Sequence, residues 1–347
     1  MSVSSDPPTA ATAPSLTFFI TKLLPGLVLI AGLTLSALKL AATLGWPAPA
    51  IALLLGIGVA LLPGTIWVAP AAKVASRTLL RWGIVLLGST INFAIIRDIG
   101  TTGVLVTVVA LYATLLMGIL LGRAIGIDPR NTLLGSIGVA ICGATAIMAV
   151  AAVVKRDDQK EGAVAYLIGL TTLAGSIEML LLPVLAHLMG LSPHSTGIFL
   201  GAALHDLGQA AGAGYGVSAE VGSIAVATKL LRVACLAPTV ILISRIATKQ
   251  QDRSGPKLAI VPWYLVGFVA MMIARALGIL PEVLVENAMI ISQACIVASL
   301  IALGTMISFN DVMKSGWKPI LLTASLSSII VCLVLVFILG SKTAFNL

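Results

Sequence analysis

Apolar residues run through this chain in long stretches, broken by short polar linkers. A hydrocarbon core of about 30 Å needs about 20 helical residues. Runs of that order fall at about 23–44, 48–62, 79–96, 103–125, 131–153, 162–188, 197–214, 220–246, 262–280, 284–307 and 319–340. These eleven hydrophobic segments predict an all-α polytopic membrane protein. The longest linker, SRIATKQQDRSGPKLAIVP, is a basic loop with Gly-Pro punctuation and too short to hold a soluble domain. The start, MSVSSDPPTAATAPS, is rich in Pro, Ser, Ala and Thr and has no basic n-region. Residues 1–20 are therefore expected to form a disordered tail, and 21–347 a single transmembrane domain.

Two segments break the pattern. Segment five reads LLGSIGVAICGATAIMA and segment seven FLGAALHDLGQAAGAGYG, with a glycine density that their neighbours lack. Glycine costs about 1 kcal/mol relative to alanine inside a helix, and exposed backbone in hydrocarbon costs several kcal/mol for each unsatisfied group. Both segments are thus expected to be discontinuous, crossing or re-entrant, and to line a polar cavity inside the protein. A faint repeat points the same way: LGSTINFAIIRDIG (87–100) and LGTMISFNDVMKSG (303–316) share Leu, Gly, Ile, Phe and Gly in register. An odd offset of spans places the two copies in opposite orientation, the arrangement of inverted-repeat transporters.

Composition narrows the class. The chain is 59% hydrophobic and 10% charged, far from the roughly 25% charged residues of a soluble domain. Its net charge of +8 sits in short loops, which suits a bilayer and argues against a nucleic-acid partner. The basic residues set an orientation. Lys73, Arg77 and Arg81 precede the third segment, Arg123 and Arg130 the fifth, Arg245, Lys249, Arg253 and Lys257 the ninth, and Lys314 and Lys318 the eleventh. These loops share one side, read as cytoplasmic together with the N-terminus. KRDDQKEG (155–162) is the misfit. It is reconciled if segment five turns back, or tolerated because acids neutralise its basic residues. Cys142, Cys235, Cys295 and Cys332 lie in apolar runs without metal-ligand spacing and read as buried thiols.

Ionisable side chains deep in a bilayer persist when paired or when they face water or a solute. In segment seven, His205, Asp206 and Gln209 can share one helical flank. They read either as a binding or proton-coupling cluster or as a hydrogen-bond knot that locks packing. Lys229 and Arg232 lie one turn apart near mid-depth, too far from either end for snorkelling. They either attract an anion or are neutralised by Asp206 or by Glu178 of GSIEMLLLP. In segment five, Ser136, Cys142, Gly143 and Thr145 belong to a small-residue run that could turn backbone N–H groups toward an anion or allow close packing. Asn92, Asn287, Ser292 and Gln293 are read as interhelical hydrogen-bonders, and His187, His194 and Lys39 as interfacial.

ICGATA, HDLGQAAGAG, ATKLLRVACLAP and ALGTMISFNDVMKSGWKP occur here in an order and spacing that resemble the sulfate exporter family, bacterial inner-membrane proteins of inferred transport function. The resemblance runs from about residue 23 to the C-terminus. It implies kinship with cation/proton antiporters and bile-acid symporters: inverted repeats, discontinuous helices and a core moving against a scaffold. It maps a His-acid-x-x-Gln signature on His205, Asp206 and Gln209, a Lys-x-x-Arg-Val on Lys229, Arg232 and Val233, and Ile-Cys-Gly on Ile141, Cys142 and Gly143. Val139 and Ala140 depart from the hydroxyl residues that relatives commonly carry before Ile-Cys-Gly.

The expectation is a secondary transporter, an exporter of a small anion such as sulfate or an organic sulfonate or carboxylate, in the bacterial inner membrane. Its site would comprise Lys229, Arg232, His205, Asp206, Gln209, Ser136, Cys142, Gly143 and Thr145, with His205, Asp206 and Glu178 available for coupling to H+ or Na+. Besides solute, coupling ion and bilayer, a homodimer is compatible with this reading. No cofactor or metal is expected, and Lys229→Ala or Arg232→Ala is expected to abolish uptake while leaving folding intact. The rival readings are an intramembrane enzyme using His205 and Asp206, which lacks HExxH, a paired-acid metal motif or Gly-x-Ser-x-Gly, and a channel or ligand sensor.

Overall fold

A computed structural model describes residues 19–44, 46–90, 93–154, 162–248, 263–307 and 316–345. Residues 1–18 of the predicted tail, Asn92, residues 155–161 of the misfit loop, Lys249, Arg253, Lys257 and most of the second repeat copy lie outside the described residues. The described elements are helical throughout. In chain order they are α1 (Leu24–Leu44), α2 (Ala48–Leu61), α3 (Ala69–Leu87), α4 (Phe93–Ile125), α5 (Pro129–Ile137), α6 (Ala144–Val153), α7 (Gly162–Leu188), α8 (Pro193–Ala203), α9 (Leu207–Val217), α10 (Ala219–Ala234), α11 (Leu236–Thr248), α12 (Trp263–Ala276), α13 (Glu282–Thr305) and α14 (Trp317–Phe345). Six helical stretches are long and apolar enough to cross a bilayer, and α2 and α12 are shorter apolar helices. The chain is a multi-pass membrane protein.

Packing fixes the direction of each pass. Gly26 lies against Val68 and Ala71, so α1 and α3 begin at one face, called near. After the 21 residues of α1, about 30 Å of helix, α2 starts at the opposite, far face, where Pro47 lies against Gly216 at the end of α9. Ser292 Oγ donates to the Gly83 carbonyl (2.6 Å) and Ser76 Oγ meets Met306 Sδ (3.5 Å), so α13 runs antiparallel to α3. These two helices carry the start of the two repeat copies, and their opposite directions match the inverted orientation expected of the copies. Gly118 against Ser136 and Gly122 against Thr132 set α5 antiparallel to α4. Lys318 Nζ donates to the Gly126 carbonyl (3.3 Å), which brings the start of α14 to the near face.

Segments five and seven are re-entrant. Gly197, early in α8, and Gly214, late in α9, both lie against the Val221 carbonyl of α10, while Gly201 lies deeper, against Ala225 and Thr228. Thus α8 runs parallel to α10 and α9 antiparallel to it, and hairpin B (α8–α9) enters from the far face, turns at Leu204–Asp206 and leaves by the same face. Hairpin A (α5–α6) does the same from the near face. Gly135 and Gly138 lie against Leu167 and Thr171 of α7, and the Ile147 side chain folds back onto Gly138. Residues nine apart in a straight helix would sit about 13 Å apart. The reversal occurs after the wide helical turn Gly138–Cys142, at Gly143, whose φ of 58° and ψ of −125° suit glycine alone. Thus α6 ends and α7 begins on the near face, the side of Arg123, Arg130 and Lys318.

Side-chain packing groups α1, α2, α3, α12 and α13 into one bundle, and α4, α7, α10, α14 and both hairpins into another. One contiguous buried apolar cluster joins them, from Ile30 through Leu53, Leu87 and Phe199 to Ile338. The helix of the third segment departs clearly from the apolar pattern. It begins at Ala69 and not near residue 79, so Lys73, Arg77 and Arg81 are helical residues of α3 and not a loop preceding it.

Candidate functional site

The two hairpin tips meet at Lys229 and Arg232. Three apart on α10, these residues share a face, and Lys229 is the eleventh residue of a helix that starts at the far face, about 15 Å deep. Both are fully buried. Lys229 Nζ donates to the carbonyls of Ile141 (2.8 Å) and Leu204. Arg232 donates from Nε to Ala140 O (3.1 Å), from Nη2 to Val139 O (2.8 Å) and Ala140 O (2.6 Å), and from Nη1 to Ala202 O (2.5 Å) and Leu204 O (2.9 Å). A guanidinium has five N–H groups, and the five bonds use all of them. The accepting carbonyls end the inbound limbs of both hairpins, where the helix dipole is negative and backbone acceptors lack intrahelical partners. Backbone carbonyls, and not Asp206 or Glu178, are the direct hydrogen-bond partners of this cation pair.

The remaining predicted residues divide. Asp206 caps α9, its Oδ1 accepting from Gly208 N (2.8 Å), and Gln209 Oε1 accepts in return from Asp206 N (3.1 Å). This capping box satisfies N–H groups that would otherwise be orphaned. Gln209 Nε2 donates to Thr172 O (3.1 Å) and Ser176 Oγ (3.4 Å), tying hairpin B to α7. Ser136 Oγ donates to Thr132 O (2.6 Å) and packs on Gly118, a helix-packing role. His205 turns toward α7 and α14. Ser292 bridges α13 to α3, whereas Asn287 Nδ2 donates within its own helix to Val283 O (2.8 Å).

A cavity of about 320 Å3 lies between the two bundles. Its floor is formed by the hairpin tips, through Cys142 and Asp206 to Gly208. Its walls are the near-face halves of α3, α6, α7 and α13, so it points toward the near face. Of the predicted site residues, Cys142, Thr145 and Asp206 line it. The start of α6 also borders it, and the N-cap there, Gly143, offers no side-chain acceptor to the helix N-terminus. Arg77 and Arg81 line it too. Arg77 Nη2 reaches Met148 Sδ (3.8 Å), and the Arg81 guanidinium stands 5.8 Å from the Tyr264 ring centroid. Gly83 lies against Ser292 and Cys295 near the middle of α13, so Arg81 is close to mid-depth. Sequence reading counted both arginines with the basic residues before the third segment, although Arg81 falls inside 79–96. Their spacing of four, continued back to Lys73, was the available signal of one helical stripe.

A helical membrane protein with two opposed re-entrant hairpins and a largely apolar cavity at their tips, bordered by Arg77, Arg81 and Asp206, is thereby defined. Residues 24–323 match the family described as conserved hypothetical protein 698, and the chain belongs to that family. Over 304 residues it is 33% identical to the UPF0324 membrane protein RB0971 of Rhizobium meliloti, covering 87% of this chain and 88% of that one. It is 33% identical over 303 residues to the UPF0324 membrane protein TauZ of Paracoccus pantotrophus, covering 86% and 89%. It is 32% identical over 313 residues to the UPF0324 inner membrane protein YeiH of Escherichia coli K12, covering 86% and 88%. No solved structure matches the chain.

Proposed function

We propose that this protein is a secondary-active transporter of a small anion, sulfate or an organic sulfonate or carboxylate, working by alternating access in a bacterial inner membrane. The observation that carries the reading is the charge of the cavity: Arg77 and Arg81 face Asp206 across a space that also borders the uncapped α6 N-terminus. Two side-chain cations against one carboxylate, with a helix N-terminus added, leave the cavity positive. At about 320 Å3 it is at the small end of ligand sites. An arginine near mid-bilayer is retained where it meets water or a solute.

In this reading Lys229 and Arg232 do not touch the solute. They hold the two hairpin tips together, and the tips carry the floor of the site. The near face is cytoplasmic, by the basic residues at Arg123, Arg130, Arg245 and Lys318, so the cavity is open inward. Movement of the hairpin bundle against the α1–α3, α12 and α13 scaffold would expose the same floor to the far face. An inside-negative potential pushes net negative charge outward by about 2.3 kcal/mol per charge per 100 mV, which favours export of any anion charge that a co-transported cation does not cancel. An enzyme built on His205 is disfavoured because His205 is 1% exposed and does not line the cavity.

The test is counterflow of labelled sulfate, methanesulfonate and malonate in proteoliposomes. Arg81→Gln and Arg77→Gln are expected to lose at least one anion that the parent protein exchanges, with unchanged melting behaviour. Parental exchange of all three anions by both variants and by the double variant refutes the assignment of this cavity.

A further inference from the structure

A second polar cluster is buried behind the tip of hairpin B, on the side turned from the cavity. His205 Nε2 lies 2.7 Å from Ser327 Oγ of α14 and 3.4 Å from Glu178 Oε2 of α7. His205, Ser327 and Glu178 are 1%, 7% and 9% exposed, and none of them lines the cavity. Glu178 Oε2 and His205 Nδ1 have no hydrogen-bond partner. The shared hydroxyl has one proton to give, so it cannot donate to both the acid and the ring. A neutral imidazole with its proton on Nε2 can donate toward the hydroxyl or the carboxylate, and an added proton can then sit on the Glu178 carboxyl or on Nδ1.

The surrounding charges give that proton a use. Lys229 and Arg232 on α10 are held by the Leu204 carbonyl, one residue before His205, and Asp206 follows it; the Cys142 thiol stands at the tip of hairpin A. With Lys229 and Arg232 positive and Asp206 and Glu178 negative, the buried set is neutral when the Glu178–His205 pair holds no extra proton. With one proton it carries a single positive charge. Uncompensated charge is costly in a low-dielectric interior, so a negative solute on the other side of the tip and a proton behind it favour each other's presence. The tip is also a mechanical link, since the backbone of His205 joins the carbonyl clamped by the cations to the carboxylate that forms the cavity floor.

We propose that Glu178, His205 and Ser327 form a proton-binding site, loaded together with the anion and coupling its transport to proton movement. This rests on the anion-transport reading, and the experiment separates the two. Proteoliposomes carrying an internal pH dye are tested in two modes: counterflow of labelled sulfate, methanesulfonate and malonate, in which proton entry and exit cancel, and net entry of each anion into anion-free vesicles. The parent protein is expected to acidify the interior as a probe enters. Glu178→Gln is expected to keep counterflow at equal pH within about twofold and to lose the acidification. Net anion entry by the parent protein without acidification, or acidification retained by Glu178→Gln, overturns the proton site while leaving the anion reading intact.

If no probe moves, the anion reading fails, and infrared titration of the purified protein between about pH 5 and 9 decides the proton site. A protonated-carboxyl band present in the parent and absent in Glu178→Gln upholds it; identical spectra reject it. Should Glu178→Gln not fold, Ser327→Ala keeps both titrating groups and is expected to shift the pH at which that band titrates. No shift rejects the cluster.

Discussion

Replacement of Arg232 by methionine tests what the buried cations do. The guanidinium makes five hydrogen bonds to four carbonyls, and the Lys229 ammonium makes two. Bonds to a charged group contribute about 1.5–3 kcal/mol each, a gross loss of roughly 7–15 kcal/mol for Arg232 and about 3–6 for Lys229. Either substitution regains the cost of burying an ion, several kcal/mol after relaxation. Taking that as about 4 kcal/mol for each ion leaves Arg232→Met destabilised by about 3–11 kcal/mol, and Lys229→Met changed by about −1 to +2. The first figure is large enough to unfold many proteins. Equilibrium unfolding in mixed micelles, read by tryptophan fluorescence, is expected to show that asymmetry. The earlier expectation that alanine at either position spares the fold is replaced, because the carbonyls of both hairpin ends depend on Arg232. Equal stability of the two variants, or a larger loss from Lys229→Met, would falsify the view that these charges hold carbonyl ends.

Further outcomes follow from the same geometry. Ser192→Cys and Ser218→Cys, both exposed at the ends of hairpin B, are expected to react with an impermeant maleimide from the same side of the membrane; labelling from opposite sides would mean that the segment crosses. Gly143→Ala is expected to cost about 1–3 kcal/mol through its backbone conformation. Since an added Cβ would meet nothing nearer than Thr171 Oγ1 at 3.9 Å, Gly143→Ser should cost about the same in a melting experiment, and a loss that grows with side-chain size would point to packing instead. Gly214→Val should be severe in expression and melting, because even a Cβ there would lie 2.8 Å from Gly222 Cα; a parental melting point would contradict the close approach of α9 to α10. Arg81→Gln is expected to weaken anion exchange with a stability change within about 0.5 kcal/mol, checked by counterflow beside a melting curve.

How far this arrangement could be read from the chain depends on which physical signal each part leaves. The passes of α1, α4, α7, α13 and α14 were legible because lipid demands some 20 apolar residues in a row. The discontinuity of segments five and seven was legible from glycine. Whether they cross or turn back was not, because a half-helix of about 11 residues has the same composition either way. The one hint was electrostatic, the basic loop at 155–162 on the wrong side of a strict count; residues 155–161 lie outside the described residues, but the helix ends that flank them share the near face. Lys229 and Arg232 were rightly singled out as buried cations, but sequence records side chains and not the backbone acceptors that claim them, so a carbonyl-bound pair reads like an anion trap. Arg77 and Arg81 were missed for the converse reason. A window that searches for apolar length discards the amphipathic half of α3, and that half is the one that borders the cavity through Arg77 and Arg81. Positive charge deep in this protein therefore stands in two separate settings: donors spent on the hairpin ends hold the floor, and arginines border the cavity where the proposed anion would meet them.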